Sequence, residues 1–159
     1  MFCKQHRLAG WLAVTLTAFS GCGKADKAAE FDLTPVSGTL TLDGKPLGDA
    51  DVGFSYQGVP PAGFFGSAAR TDSQGRYELR TGDKTGTLAG NHRVVVSRVV
   101  ARNGAAIKPE EGLDLAQLSA AGEVTQTIPI KYTDAATTDL QATVEKGKAD
   151  GYDFDLKSQ

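Results

Sequence analysis

Cysteine, histidine and tryptophan are scarce in this chain of 159 residues, and each shortage closes off a class of function. Both cysteines, Cys3 and Cys22, fall in the first 22 residues, so the folded part holds neither an internal disulfide nor a cysteine-ligated zinc site. Past Cys22 the sole histidine is His92. Without a second histidine or a cysteine as co-ligand, a strand-entry histidine reads as a hydrogen-bonded or solvated structural residue. No Gly-x-Ser-x-Gly elbow, His-Glu-x-x-His pair or phosphate-binding glycine loop occurs, and no nucleophile has an adjacent base. The expectation is a protein that is not an enzyme and needs no cofactor. Strong charge is missing as well: a formal net charge of −2 gives no electrostatic reason to expect nucleic acid as a partner.

What is present is a short leader and a glycine-rich remainder. Lys4, His6 and Arg7 precede an apolar run, Leu8 to Phe19, that ends in Ser20-Gly21-Cys22. These are the basic, apolar and small-residue parts of a secretory signal, and a run of 12 residues is short of the ~20 that a spanning helix needs. Ala18-Phe19-Ser20-Gly21-Cys22 resembles the lipobox of bacterial lipoproteins, with Phe19 where those motifs usually carry leucine. The resemblance implies removal of residues 1–21, acylation of Cys22 (palmitate among the acyl groups), and membrane attachment through that lipid. Gly23 stands where an aspartate would hold such proteins at the inner membrane, so outer-membrane placement at the cell envelope is preferred. Residues 22–34 then form an acylated tether. Loss of Lys4 and Arg7 leaves 15 basic against 19 acidic residues, a net charge of −4.

The remaining residues, 35–157, read as one all-β domain. With 19 glycines, 40% hydrophobic and 23% charged residues, the chain has the composition of a turn-rich globular β protein. Val36, Gly38, Leu40 and Leu42 alternate with Ser37, Thr39 and Thr41; Asp43-Gly44 makes a tight turn; Val52, Phe54 and Tyr56 alternate again. These predict two strands and their turn-rich connection. Ser67 to Thr71 and Arg76 to Arg80 flank a second turn, Asp72-Ser73-Gln74-Gly75, with Tyr77 and Leu79 facing inward. That stretch lacks the alternating ligands and distal glutamate of an EF-hand loop. Asn91 to Ala101 has apolar residues at both parities and predicts a central strand covered on both faces. Val124 to Tyr132, with Pro129, predicts an edge strand. Leu140, Ala142 and Val144 form another alternating set, and Tyr152, Phe154 and Leu156 a last one that closes the core. Between Arg102 and Glu123 lies an irregular insertion, either mobile or carrying a short helix near Leu113 to Ala121.

Candidate contact residues are few. Gln57 to Gly66 has two prolines and three glycines and must be a loop. Its Phe64 and Phe65 are the possible ligand or partner contacts, against the alternative that one of them packs over the open end of the core. Asp153 and Asp155 share one face of the last strand, close enough to share a calcium ion, or else they are solvating acids.

Seven or so short strands argue a β-sandwich on spacing alone. Val36-Ser37-Gly38-Thr39-Leu40, Asp43-Gly44-Lys45-Pro46-Leu47, Val52-Gly53-Phe54, Thr71-Asp72 with Gly75-Arg76-Tyr77, and Ala89-Gly90 before the valine strand add something more specific. Together they resemble the carboxypeptidase regulatory-like domain, a transthyretin-like (prealbumin-like) sandwich. The ending, Ile128-Pro129-Ile130-Lys131-Tyr132 to Asp153-Phe154-Asp155-Leu156, is similar to short bacterial lipoproteins built of that domain alone. The resemblance implies a Greek-key, transthyretin-like or Ig-like sandwich of about seven strands that serves as an accessory, interaction or structural module. It does not extend to the transthyretin-like hydrolases, which need several histidines and a Tyr-Arg-Gly-Ser ending; this chain ends Leu156-Lys157-Ser158-Gln159. The leading expectation is a lipid-anchored, non-catalytic module that contacts an envelope protein; the alternative is a glycan- or calcium-binding surface module.

Overall fold

The computed structural model describes residues 31–107 and 114–159. The leader, Cys22 and the middle of the 102–123 insertion lie outside the described residues. Two main sheets face each other across one apolar core. The larger is built from β4 (Asp51–Tyr56), β5 (Ser67–Arg70), β7 (Arg80–Thr81), β8 (Lys84–Thr85), β10 (Gly90–Ser97) and β13 (Gln141–Val144), ordered β13-β10-β4-β5-β7-β8. In the smaller, β2 (Ser37–Leu42) is flanked by β3 (Lys45–Pro46), β6 (Arg76–Glu78) and β14 (Phe154–Leu156). Two short ladders complete the set: β1 (Leu33–Thr34) on β9 (Thr87–Leu88), and β11 (Val99–Ala101) on β12 (Val124–Gln126). Nearly all pairs are antiparallel, but β14 runs parallel to β2, Phe154 opposite Leu40. This is a mostly-β fold of sandwich type.

The inward residues are those that period-two patterning selects. Val36 and Leu40 from the small-sheet side meet Val52 and Phe54 of β4, Val94 and Val96 of β10, and Ala142 and Val144 of β13 in one buried cluster. Phe54 sits at its centre, 1% exposed. Its ring lies 6.4 Å from Tyr77, 6.2 Å from Phe154 and 5.6 Å from His92, so one side chain of the large sheet touches two strands of the small one.

Short polar turns carry the chain between sheets. β2 and β4 do not pair with each other: β2 turns back on β3 through Asp43-Gly44, both at positive φ (51° and 75°), and only then does the chain cross to β4. The Asp72-Gly75 turn likewise joins β5 of one sheet to β6 of the other. Asp72 Oδ1 accepts hydrogen bonds from the amides of Gln74 and Arg76, and Gly75 has a φ of 76° with no room for a side chain, since a Cβ would lie 2.3 Å from the Leu40 carbonyl oxygen. At Gly38 a Cβ would lie 2.0 Å from the carbonyl oxygen of Tyr152. That oxygen accepts a 2.5 Å hydrogen bond from the buried Tyr77 hydroxyl.

Four expectations change. The stretch Asn91 to Ala101 is two strands rather than one, broken after Ser97, because β11 leaves the large sheet to pair with β12. β10 is central, between β13 and β4, but only its inner face is sealed: His92, Val94 and Val96 are buried while Arg93, Val95 and Ser97 are half-buried. Val124 to Tyr132 is not one edge strand. After β12 the chain forms a 3-10 helix, Ile130–Thr133, that buries Tyr132 and leaves Ile130 76% exposed. The strand count is fourteen among the described residues, since beside β2, β4 and β10 the chain forms many pieces of two to four residues that pair with different partners. The helix in the insertion is present as α1 (Leu115–Ala120), capped by the Asp114 carboxylate, which accepts from the amides of Ala116 and Gln117.

The last strand is fastened by its acids. Asp153 Oδ1 accepts from the Thr39 amide at 2.6 Å. Asp155 Oδ1 accepts from the Thr41 hydroxyl at 2.8 Å and the Gly44 amide at 2.9 Å, while its other oxygen pairs with Lys157. These bonds, that to Lys157 foremost, lower the Asp155 carboxyl to about 2.

Two outcomes follow. Phe54→Ala will cost about 3–5 kcal/mol of unfolding free energy in urea titration, the range for emptying a buried aromatic site. Because Asp155 is more acidic folded than its ordinary 3.8, its contribution is complete above that value and is lost as pH falls toward 2. Asp155→Asn will therefore lower the melting temperature at neutral pH and flatten its decline between pH 4 and 2, measured by circular dichroism, relative to the parent chain.

Candidate functional site

The Gln57 to Gly66 loop treats its two phenylalanines oppositely. Phe64 is 6% exposed and Phe65 is 99% exposed. The Phe64 ring packs edge-on against Phe31 at 5.5 Å and against Tyr56 at 6.4 Å, while its amide donates to the Pro61 carbonyl. Tyr56 lies 5.3 Å from His92, which lies 5.6 Å from Phe54. A continuous row of rings thus runs from Phe31 through the loop to the centre of the core. Phe64 takes the packing role, and the backbone it fixes holds Phe65 in solvent. Val59 in the same loop is 95% exposed, and the loop carries no charged residue.

Phe65 stands as a ridge between two shallow depressions. One, of about 380 Å3, is lined by Gly53, Ser55, Ala68, Val95 and Arg80 on the outer face of the large sheet. The other, of about 430 Å3, is lined by Phe31, Gly63, Gly82, Asp83 and Lys84. An exposed aromatic on a rigid base with small residues at its foot can take a flat apolar surface, a sugar ring or an acyl chain.

His92, 1% exposed, is sealed inside. Its Nε2–H donates to the Leu88 carbonyl at 2.8 Å, and Nδ1 has no partner. Burial among Phe54 and Tyr56 holds the imidazole below its ordinary 6.5, partly offset by the Leu88 bond. The ring is therefore neutral at neutral pH and plays the hydrogen-bonded structural part expected of it. Among the described residues no three His, Cys, Asp or Glu side chains are grouped to hold a metal ion. Asp153 Oδ1 is engaged by Thr39, and both oxygens of Asp155 by Thr41, Gly44 and Lys157. Cys22 lies outside the described residues.

Sequence reasoning passed over two residues of this site. Phe31 falls in the stretch read as tether, yet it packs on Phe64, Leu33 and Thr34 form β1, and Asp32 pairs with Lys146 at 2.7 Å. The alternation Phe31-Asp32-Leu33-Thr34 is the signal that was there to find. Val59 has no comparable signal, because a single valine between glycine and proline has no period.

Compared with family models, with curated proteins and with solved structures, the chain gave no match.

Phe64→Ala will lower stability by about 2–4 kcal/mol, whereas Phe65→Ala will change it by less than about 0.5 kcal/mol in the same urea titration. Equal effects would mean that the loop does not hold the two rings as described.

Proposed function

We propose that this protein is a lipid-anchored, non-catalytic β-sandwich module of the bacterial cell envelope, with an interaction or structural role and with the Phe65 ridge as its contact surface. One observation carries the reading: a fully exposed aromatic ring is held on a loop that its buried neighbour Phe64 clamps to the core. A large apolar side chain held in water at a fixed position gives a partner a ready surface to cover, and apolar area removed from water there would favour binding. Lipid attachment rests on the lipobox-like Ser20-Gly21-Cys22 at the end of the basic and apolar leader. A non-catalytic role draws support from how the polar groups are used. His92 is enclosed, and Asp72, Asp114, Asp153 and Asp155 accept backbone amide hydrogens.

The finer fold assignment, a transthyretin-like domain of the carboxypeptidase regulatory-like kind, rests on the turn signatures. Asp43-Gly44 and Asp72-Gly75 each occupy the tight turn for which they were read. A second reading, a glycan-binding surface, is favoured by the polar surroundings of Phe65, where Ser55 and the Arg80 guanidinium could meet hydroxyls beside an aromatic face. Among the described residues calcium has no comparable grouping of acids to support it.

Cys22→Ser will move the protein from the membrane to the soluble fraction of cells and remove the acyl mass from the mature chain, read by fractionation and intact-mass spectrometry. An unmodified mass in the parent, with unchanged partitioning of the variant, would refute the anchor. Turnover in a broad hydrolase screen, abolished by one point substitution, would refute the non-catalytic reading.

A further inference from the structure

We infer that the Gln57 to Gly66 loop is a membrane-contact tip: Val59 and Phe65 enter the headgroup–acyl boundary of the same bilayer that holds Cys22. The inference rests on the lipid-anchor reading above and names the partner of the Phe65 surface. Three independent features favour lipid over protein or glycan.

The first is where the chain toward Cys22 reaches the domain. Phe31 packs edge-on against Phe64, the residue beside Phe65, at 5.5 Å. The nine residue steps from Cys22 to Phe31 span at most ~3.5 Å each, about 30 Å in all, so the acylated end keeps this corner of the domain near the surface. β1 and the Asp32–Lys146 ion pair fasten the same corner.

The second is the chemistry of the loop. Ten consecutive residues carry no charge, and of the three large apolar side chains left in solvent among the described residues the two most exposed, Val59 at 95% and Phe65 at 99%, belong to it, the third being Ile130 at 76%. Apart from Gln57 at its start, whose amide donates to the Ser55 carbonyl, the loop is glycine, proline, alanine, valine and phenylalanine, and phenylalanine is favoured at the bilayer interface. A sugar-binding aromatic would not need Val59 as well.

The third is charge beside the loop. Arg80 and Lys84 line the depressions on either side of Phe65, against the single carboxylate of Asp83. Two cations at the foot of an apolar tip suit anionic headgroups. Insertion by so small a tip would be weak for a free protein, but the anchor makes it intramolecular, and a high effective concentration then favours it.

The test uses tryptophan as a depth probe in the full-length lipidated protein. The chain's one tryptophan, Trp11, lies in the leader that is cut away before Cys22, so each mature lipidated variant carries a single tryptophan. Phe65→Trp, Val59→Trp and, as a control elsewhere on the surface, Ile130→Trp are each reconstituted into phosphatidylethanolamine–phosphatidylglycerol vesicles with brominated acyl chains. Phe65→Trp and Val59→Trp are expected to emit at shorter wavelength and to lose at least half their emission to bromine, while Ile130→Trp keeps its own. Thermal unfolding of each variant checks that the exposed positions tolerate the ring. If the protein floats with vesicles but Phe65→Trp is unquenched, the tip is wrong and the anchor stands. Equal quenching of Ile130→Trp also overturns the tip, because the domain then has no preferred face toward the lipid. Failure to float removes the anchor and the tip together. In cells, a photo-crosslinking residue at position 65 should capture lipid; a defined protein or saccharide adduct instead would assign the surface to that partner.

Discussion

The ring of Phe54 is the contact on which the rest of the structure depends. Neither sheet could bury its inner face alone: the small sheet is four short strands, and the large one is open at β13 and β8. Only where the two faces share one cluster does the apolar area removed from water offset the entropy of ordering so many turns. Phe54 belongs to the large sheet yet touches Tyr77 and Phe154 of the small one, so it couples strands that meet nowhere along their backbones. Tyr77 adds direction to that coupling. Its hydroxyl donates to the Tyr152 carbonyl just before β14, and it does so past a residue, Gly38, that leaves the gap open.

The same closure explains the use of carboxylates. β14 pairs on one side only, with β2, and in parallel, an arrangement that lacks the local hairpin holding an antiparallel neighbour in place. Asp153 and Asp155 supply what the missing hairpin would have supplied, by accepting from Thr39, Thr41 and Gly44 of the partner segment. Two acids at i and i+2 could be read as half a cation site. Here they are a latch, and the amide hydrogens they bind do the work that a metal would do elsewhere.

Much of the fold was legible because it rests on local period. Val36, Leu40, Val52, Phe54, Tyr77, Leu79, Ala142, Val144, Tyr152 and Leu156 were selected by alternation and are buried. Pairing was not legible, since which strand lies beside which depends on contacts far apart in sequence: Leu42 opposes Leu156, and Ser37 opposes Glu78. A turn between successive strands therefore does not tell whether the chain stays in one sheet, and at the Asp72-Gly75 turn it changes sheet. Ile128-Pro129-Ile130 misled for a different reason. Ile128 is buried and Ile130 is exposed in a 3-10 turn whose purpose is to seat Tyr132, and apolar spacing does not distinguish that from an edge strand. At the candidate site, composition marked Phe64 and Phe65 as a pair needing explanation, but only tertiary packing separates the buried ring from the exposed one.

That separation ties the surface to the core. The row Phe31, Phe64, Tyr56, His92 and Phe54 means that the exposed loop, the start of the folded domain and the centre of the sandwich are links of one packed chain of rings. His92 is the polar member of the row, and it is accommodated only because its one donated bond goes to Leu88, in β9, the strand that pairs with β1. The segment that leads toward Cys22 is thus held at two points, by ring packing at Phe31 and by backbone pairing at Leu33, and both routes meet at the imidazole. A charged ring there would put an unpaired ion in the core and strain both holds at once. Burial keeps the ring neutral, so the loop bearing Phe65 stays placed relative to Phe31 and β1, and in the proposed role a fixed placement is what would let one exposed side chain act as a defined contact.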